Sequence, residues 1–154
     1  MILSAQSIRG RCHAGLILPF HERGVSPGGM SFGLSACGYD IRICTTIQIR
    51  PGGFVLAASL ERFVIPDDLC MRIVDKSTWA RRGLFVQNTV AEPGWRGYLT
   101  LELTNNSVER ISLVKGEPIA QVQFEILDYP TTQPYAGKYQ NQEFGPQPAR
   151  REVK

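Results

Sequence analysis

The chain has 154 residues, 43% of them hydrophobic and 20% charged, with a formal net charge of +3, which is the profile of one globular domain rather than of a disordered or fibrous chain. No apolar run approaches the roughly 18 residues of a membrane span, and the 17 basic residues are scattered rather than massed, so neither a membrane nor a nucleic acid is expected as partner. The N-terminal stretch MILSAQSIRGRCHAGLILPF lacks the order of charged, apolar and small residues of a secretory signal, and a cytoplasmic location is expected.

Ser4 is placed to cap a short helix over Ala5 to His13, with Gly15 past its end and Pro19 forbidding continuation. The run ERGVSPGGMSFGLSACG is rich in Gly, Ser and Pro and reads as a long surface loop. Cys12, Cys37, Cys44 and Cys70 form no C-x-x-C pair and read as reduced, mostly buried thiols, with no zinc site. His13 and His21 have no further ligands beside them and read as surface or packing residues.

From Tyr39 the texture changes. YDIRICTTIQIR alternates and is rich in β-branched residues, a Pro51-Gly52-Gly53 turn leads to FVLAASLERFVI, and Pro66-Asp67-Asp68 leads to LCMRIVD with apolar period two. Beyond Asn105, RISLVKGEPIAQVQFEIL reads as two strands joined around Lys115-Gly116-Glu117. Many short strands with Gly and Pro turns predict a sandwich or closed barrel. The tail from Asp128 has almost no aliphatic residues; it either closes over a ligand or frays.

Two segments can carry chemistry. In KSTWARRG, Ser77 as cap and Gly83 as terminator would frame one helical turn with Ser77 and Arg81 on one face. Its exposed N–H groups, the hydroxyls of Ser77 and Thr78 and the charge of Lys76 suit an anion; the same residues also suit a plain basic surface turn. In YLTLELT, Leu99, Leu101 and Leu103 face one way and Thr100, Glu102 and Thr104 the other. Taken alone, Glu102 reads as a solvated glutamate on a half-exposed strand.

Taken in order, ILSAQSIR, GLSACGYDIRI, PGGFVLAASLERFVIPDD, KSTWARRGL, EPGWRGYLTLEL, KGEPIAQVQFE and PYAGKYQNQ resemble the dCTP deaminase branch of the dUTPase-like superfamily over nearly the whole chain. The resemblance implies a mainly β, distorted jelly-roll barrel with a short N-terminal helix, spanning 1–154 as a single domain with 128–154 as a tail closing over the site. It implies a homotrimer with its active sites between subunits, and hydrolysis of dCTP to dUTP and ammonia. Glu102 would take the place of the catalytic acid, with Ser77 and Arg81 supplied by a neighbouring subunit to hold the water and support the glutamate. Lys76, in place of a family arginine, Thr78 and Gln121 would lie near the triphosphate. Thr89, Val90, Glu92, Trp95, Thr100 and Leu101 would line the base and sugar pocket, and Tyr135, Lys138 and Gln142 would close on the phosphates. Mg²⁺ would ride on the triphosphate, and no protein metal site is implied.

Two departures bear on activity. The loop QNTVAEPGW is about two residues shorter than the family form and carries Glu92 where the family has Asp. A bifunctional deaminase and dUTPase, or a dUTPase outright, is therefore the alternative reading, and a non-catalytic nucleotide-binding trimer a further one.

Overall fold

The computed structural model describes residues 1–151. One helix, α1 (Ala5–Cys12), precedes twelve strands, among which a single-turn helix, α2 (Ser77–Ala80), is the other helical element. The strands are β1 (Ile17–Leu18), β2 (Arg23–Val25), β3 (Ser31–Ser35), β4 (Gly38–Arg42), β5 (Ile47–Ile49), β6 (Phe54–Val64), β7 (Leu69–Asp75), β8 (Leu84–Val86), β9 (Val90–Ala91), β10 (Arg96–Asn105), β11 (Ile111–Leu113) and β12 (Pro118–Ile126). Among the described residues no helix is long and apolar enough to cross a membrane.

The strands form a six-stranded sheet in the order β2-β3-β4-β12-β7-β9, a four-stranded sheet in the order β1-β6-β10-β8, and a β11-β5 pair. All of these pairings are antiparallel. The period-two patterns explain how the large sheets meet. In β7 Leu69, Met71 and Ile73 are buried while Arg72 is exposed, and in β10 Leu99, Leu101 and Leu103 are buried while Glu102 is exposed. These side chains join Ile41, Phe63 and Phe124 in one core, where each fully buried Leu contributes about 2 kcal/mol. The result is the jelly-roll-like barrel that the resemblance implies.

The Gly- and Ser-rich run is not the expected loop. Gly24 pairs with Phe32 and Gly33 with Arg23, making a β2-β3 hairpin. The ring of Phe32 lies where a Cβ on Gly24 would stand, at 2.3 Å, so glycine here permits close packing rather than disorder. β11 and β12 are strands, as expected, but the turn between them sends them to different sheets. Helix α1 ends at Cys12, and Ser4 in its cap position makes no side-chain cap bond.

Between Tyr98 and Thr100 the register of β10 against β6 shifts. The hydroxyl of Ser59 accepts from Leu99 N at 2.9 Å and donates to Glu61 O at 2.6 Å, satisfying groups that the bulge removes from the ladder. Glu61 is fully buried and bound by Arg42 through Nε at 2.7 Å and backbone N at 2.9 Å. Burial nevertheless raises its carboxyl above the usual glutamate range.

Candidate active site

A cleft of about 510 Å³ opens over the outer face of β10, between the 88–95 loop and the tail. Strand alternation turns Glu102 and Thr100 into it. Beside them stand Asn88, Thr89, Val90 and Glu92 from the loop, Trp95 from the turn, and Tyr135, Tyr139, Gln142 and Gln147 from the tail. No hydrogen bond or ion pair engages the Glu102 carboxylate among the described residues.

The tail is held by an ordered set of bonds. Trp95 is 5% exposed, and its indole N–H donates to Tyr139 O at 2.7 Å. Gln140 Nε2 donates to Gly94 O at 2.9 Å and to Tyr135 O at 2.8 Å. Thr100 Oγ1 donates to Gln142 Oε1 at 3.1 Å and accepts from Gln147 N at 3.0 Å. Gly97 bridges Gln142, and Tyr98 N donates to Gln142 O at 3.1 Å. The close approach depends on glycine: Gly97 has φ 146°, and a Cβ there would stand 2.6 Å from Gln142 N.

Of the expected site residues, Glu102, Thr89, Val90, Glu92, Trp95, Thr100, Tyr135 and Gln142 line this cleft. Leu101 does not, since its side chain is 0% exposed in the core and only its backbone runs along the cleft strand. Lys138 holds its ammonium 5.4 Å from the Tyr139 ring centroid, outside the cleft lining. Residues 152–154 of the expected tail lie outside the described residues.

Lys76, Ser77, Thr78, Arg81 and Gln121 also lie outside the cleft lining. The expected cap assignment is corrected: Lys76 occupies the N-cap position of α2 with extended dihedrals, and Ser77 is the first helical residue. Ser77 and Arg81 remain one turn apart and exposed, with Arg81 N donating to Ser77 O at 3.0 Å. Lys76, expected to offer its charge to a triphosphate, is instead neutralised by Asp40, with Nζ 2.7 Å from Oδ2. Gln121 Nε2 reaches the other oxygen of Asp40 at 3.4 Å. That cluster joins β4, α2 and β12, strands whose contact no local pattern shows.

Sequence reasoning missed Asn88, Tyr139 and Gln147. Asn88 carried no motif signal; Tyr139 and Gln147 lay in the tail, whose path over Trp95 and Thr100 depends on long-range bonds.

A family model described as dCTP deaminase-like matches residues 39–127. A dCTP deaminase from Acidobacterium capsulatum is 35% identical over 92% of this chain and 95% of its own length. The chain belongs to the dCTP deaminase-like family. Another dCTP deaminase, from Gemmatimonas aurantiaca, is 34% identical over 83% of the chain and 87% of its own length. At the level of fold, this dCTP deaminase-like chain superposes on the Agrobacterium tumefaciens 2'-deoxycytidine 5'-triphosphate deaminase with TM-score 0.66 and 16% identity, covering 81% of this chain and 48% of that one. It superposes on the EIAV dUTPase with TM-score 0.55 and 21% identity, covering 66% and 84%.

Proposed function

We propose that this chain is a cytoplasmic dCTP deaminase, hydrolysing the cytosine 4-amino group of dCTP to give dUTP and ammonia. The observation that carries the reading is Glu102, an unengaged carboxylate on the floor of a cleft large enough for a nucleotide, in a chain whose relatives are named dCTP deaminases. In this reading Glu102 takes a proton from the attacking water as oxygen bonds to C4, and passes it to N3. The C4 amino group then leaves as ammonia after a second proton transfer through the same carboxyl group.

Ser77 and Arg81 are exposed and lie away from their own cleft, which supports a trimer in which a neighbouring copy presents them to Glu102. The outer face beside Glu102 supports the same arrangement: Phe54 and Phe85, 61% and 44% exposed, both lie directly across from Thr104. An apolar row of this kind suits a partner surface. The Lys76-Asp40-Gln121 cluster would hold the donated turn in place from below. Trp95 would flank the sugar, and Tyr135, Gln142 and the tail around them would close on the phosphates.

Among the described residues no three His, Cys, Asp or Glu side chains are grouped to hold a metal. The residues present fit a Mg²⁺ that is carried by the triphosphate, with phosphate oxygens and water as its ligands. When bound there the ion neutralises phosphate charge.

Glu92 favours a second activity. It lines the same cleft, beside the tail, where a carboxylate can activate water against an α-phosphate and release dUMP and pyrophosphate. Incubation with dCTP and Mg²⁺ tests the first reading: dUTP and ammonia in equal amounts are expected, with a loss of about 10²-fold or more in Glu102→Gln. A wild-type protein that forms neither product refutes it. Pyrophosphate release from dUTP decides the second.

A further inference from the structure

Strand β8 pairs with β10 as far as Gln87, whose N–H donates to Glu102 O at 2.9 Å. There the backbone ladder stops, and the side chain of Asn88 continues it. Asn88 Oδ1 accepts from Glu102 N at 3.0 Å, and Nδ2 donates to Thr100 O at 2.7 Å. One carboxamide therefore covers both main-chain groups that the outer edge of β10 turns toward the cleft beside the Glu102 side chain.

The chemistry of that pair is specific. A carboxamide sets an acceptor and a donor side by side in one plane. The N3 and 4-amino group of cytosine present the same two functions in the same plane, as do a carbonyl and N3–H of uracil. An N–H and a C=O two residues apart on one strand edge can engage either a planar pyrimidine edge or the Asn88 amide, but not both. Loop 87–92 is short, so Asn88 follows directly on the last ladder bond and is held over this edge by its own chain.

We propose that Asn88 is a specificity-determining latch: its carboxamide occupies the pyrimidine-reading edge of β10, and a base gains that edge only by displacing it. The latch selects rings whose donor and acceptor match better than an amide. It rejects groups that offer one function alone, because displacement would then leave a main-chain group unpaired. This rests on the reading that the cleft takes a pyrimidine deoxynucleotide.

The two roles open to Asn88 predict opposite signs. A latch opposes binding, so removing it tightens binding; a residue that merely shapes the loop supports binding, so removing it weakens binding. The experiment compares calorimetric Kd values for dCTP in Glu102→Gln with those in Glu102→Gln carrying Asn88→Ala or Asn88→Leu, the leucine keeping bulk without hydrogen bonds. KM and kcat are measured for the same Asn88 variants with Glu102 intact. The expected result is a five- to tenfold lower Kd and KM, about the worth of one displaced hydrogen-bonded contact, together with weaker discrimination against nucleotides lacking the 4-amino group. Unchanged or higher Kd in both Asn88 variants overturns the latch while leaving the deaminase reading intact if wild type still forms dUTP. A wild-type chain that binds no pyrimidine nucleotide overturns both.

Discussion

Lys76 and Asp40 form an ion pair of 2.7 Å beneath the Ser77–Arg81 turn, with side chains only 10% and 12% exposed. Deleting one partner strands the other charge in a site that water reaches poorly, which costs about 3 kcal/mol. Asp40→Ala is therefore expected to lose that much stability in urea unfolding at fixed protein concentration. Replacing both, as Asp40→Leu with Lys76→Met, is expected to recover most of it, because no lone charge remains. A double variant as unstable as the sum of the singles would show that the two groups act independently.

Division of the site between copies gives a sharper test. Glu102→Gln and Arg81→Ala should each be inactive alone, for different reasons. Mixed by unfolding and refolding together, they should regain about a quarter of the wild-type sites, since random assembly pairs an intact Glu102 with an intact Arg81 that often. Assay of the refolded mixture checks this, and no recovery would place both residues' roles within one chain.

Gly97 offers a way to loosen the tail without touching the chemistry. In Gly97→Ala the new Cβ would collide with Gln142 N, and φ 146° is unfavourable for alanine, a strain of about 1–3 kcal/mol. The tail is the part that can yield. A rise in KM of about tenfold with little change in kcat is expected, accompanied by faster proteolysis after Pro134. Tail cleavage at the wild-type rate would show that the bridge to Gln142 is dispensable.

Glu61 ties stability to pH. Its carboxyl is raised by burial in the folded chain, so the folded state holds a proton that the unfolded state has already released. Its contribution is fully present below the unfolded value and is lost as pH rises through the folded value. Glu22 and Glu125 act in the opposite direction: hydrogen bonds from Arg9 and Arg72 lower their carboxyls, and that support is lost as pH falls. Denaturation of Glu61→Gln at about pH 4 and about pH 7 should show the fall attributable to Glu61 removed, with the acid-side loss retained.

The strand alternation made β7 and β10 legible, because one face buried and one face wet is written directly in Leu69-Met71-Ile73 and Leu99-Leu101-Leu103. It placed Glu102 on the wet face but left the cleft around it to the family resemblance. The β2-β3 hairpin was hidden because glycine reads as a loop residue where it in fact admits the ring of Phe32. Lys76 read as a free cation because Asp40 lies on another strand, 36 residues away in sequence. Asn88 was silent for a similar reason: a lone asparagine acquires meaning only from the two backbone groups of β10 that meet it.

The position of β12 has a consequence for biosynthesis. It lies between β4 and β7 at the middle of the six-stranded sheet, yet it is translated after both. While the ribosome makes the intervening chain, β4 and β7 expose bare ladder edges, and neither half of that sheet can close. Folding of this large sheet thus waits on almost the last strand to emerge. A nascent chain stalled before Pro118 would be held with its stickiest edges open, so chaperone demand should peak late in synthesis and fall once Ile126 has cleared the exit tunnel.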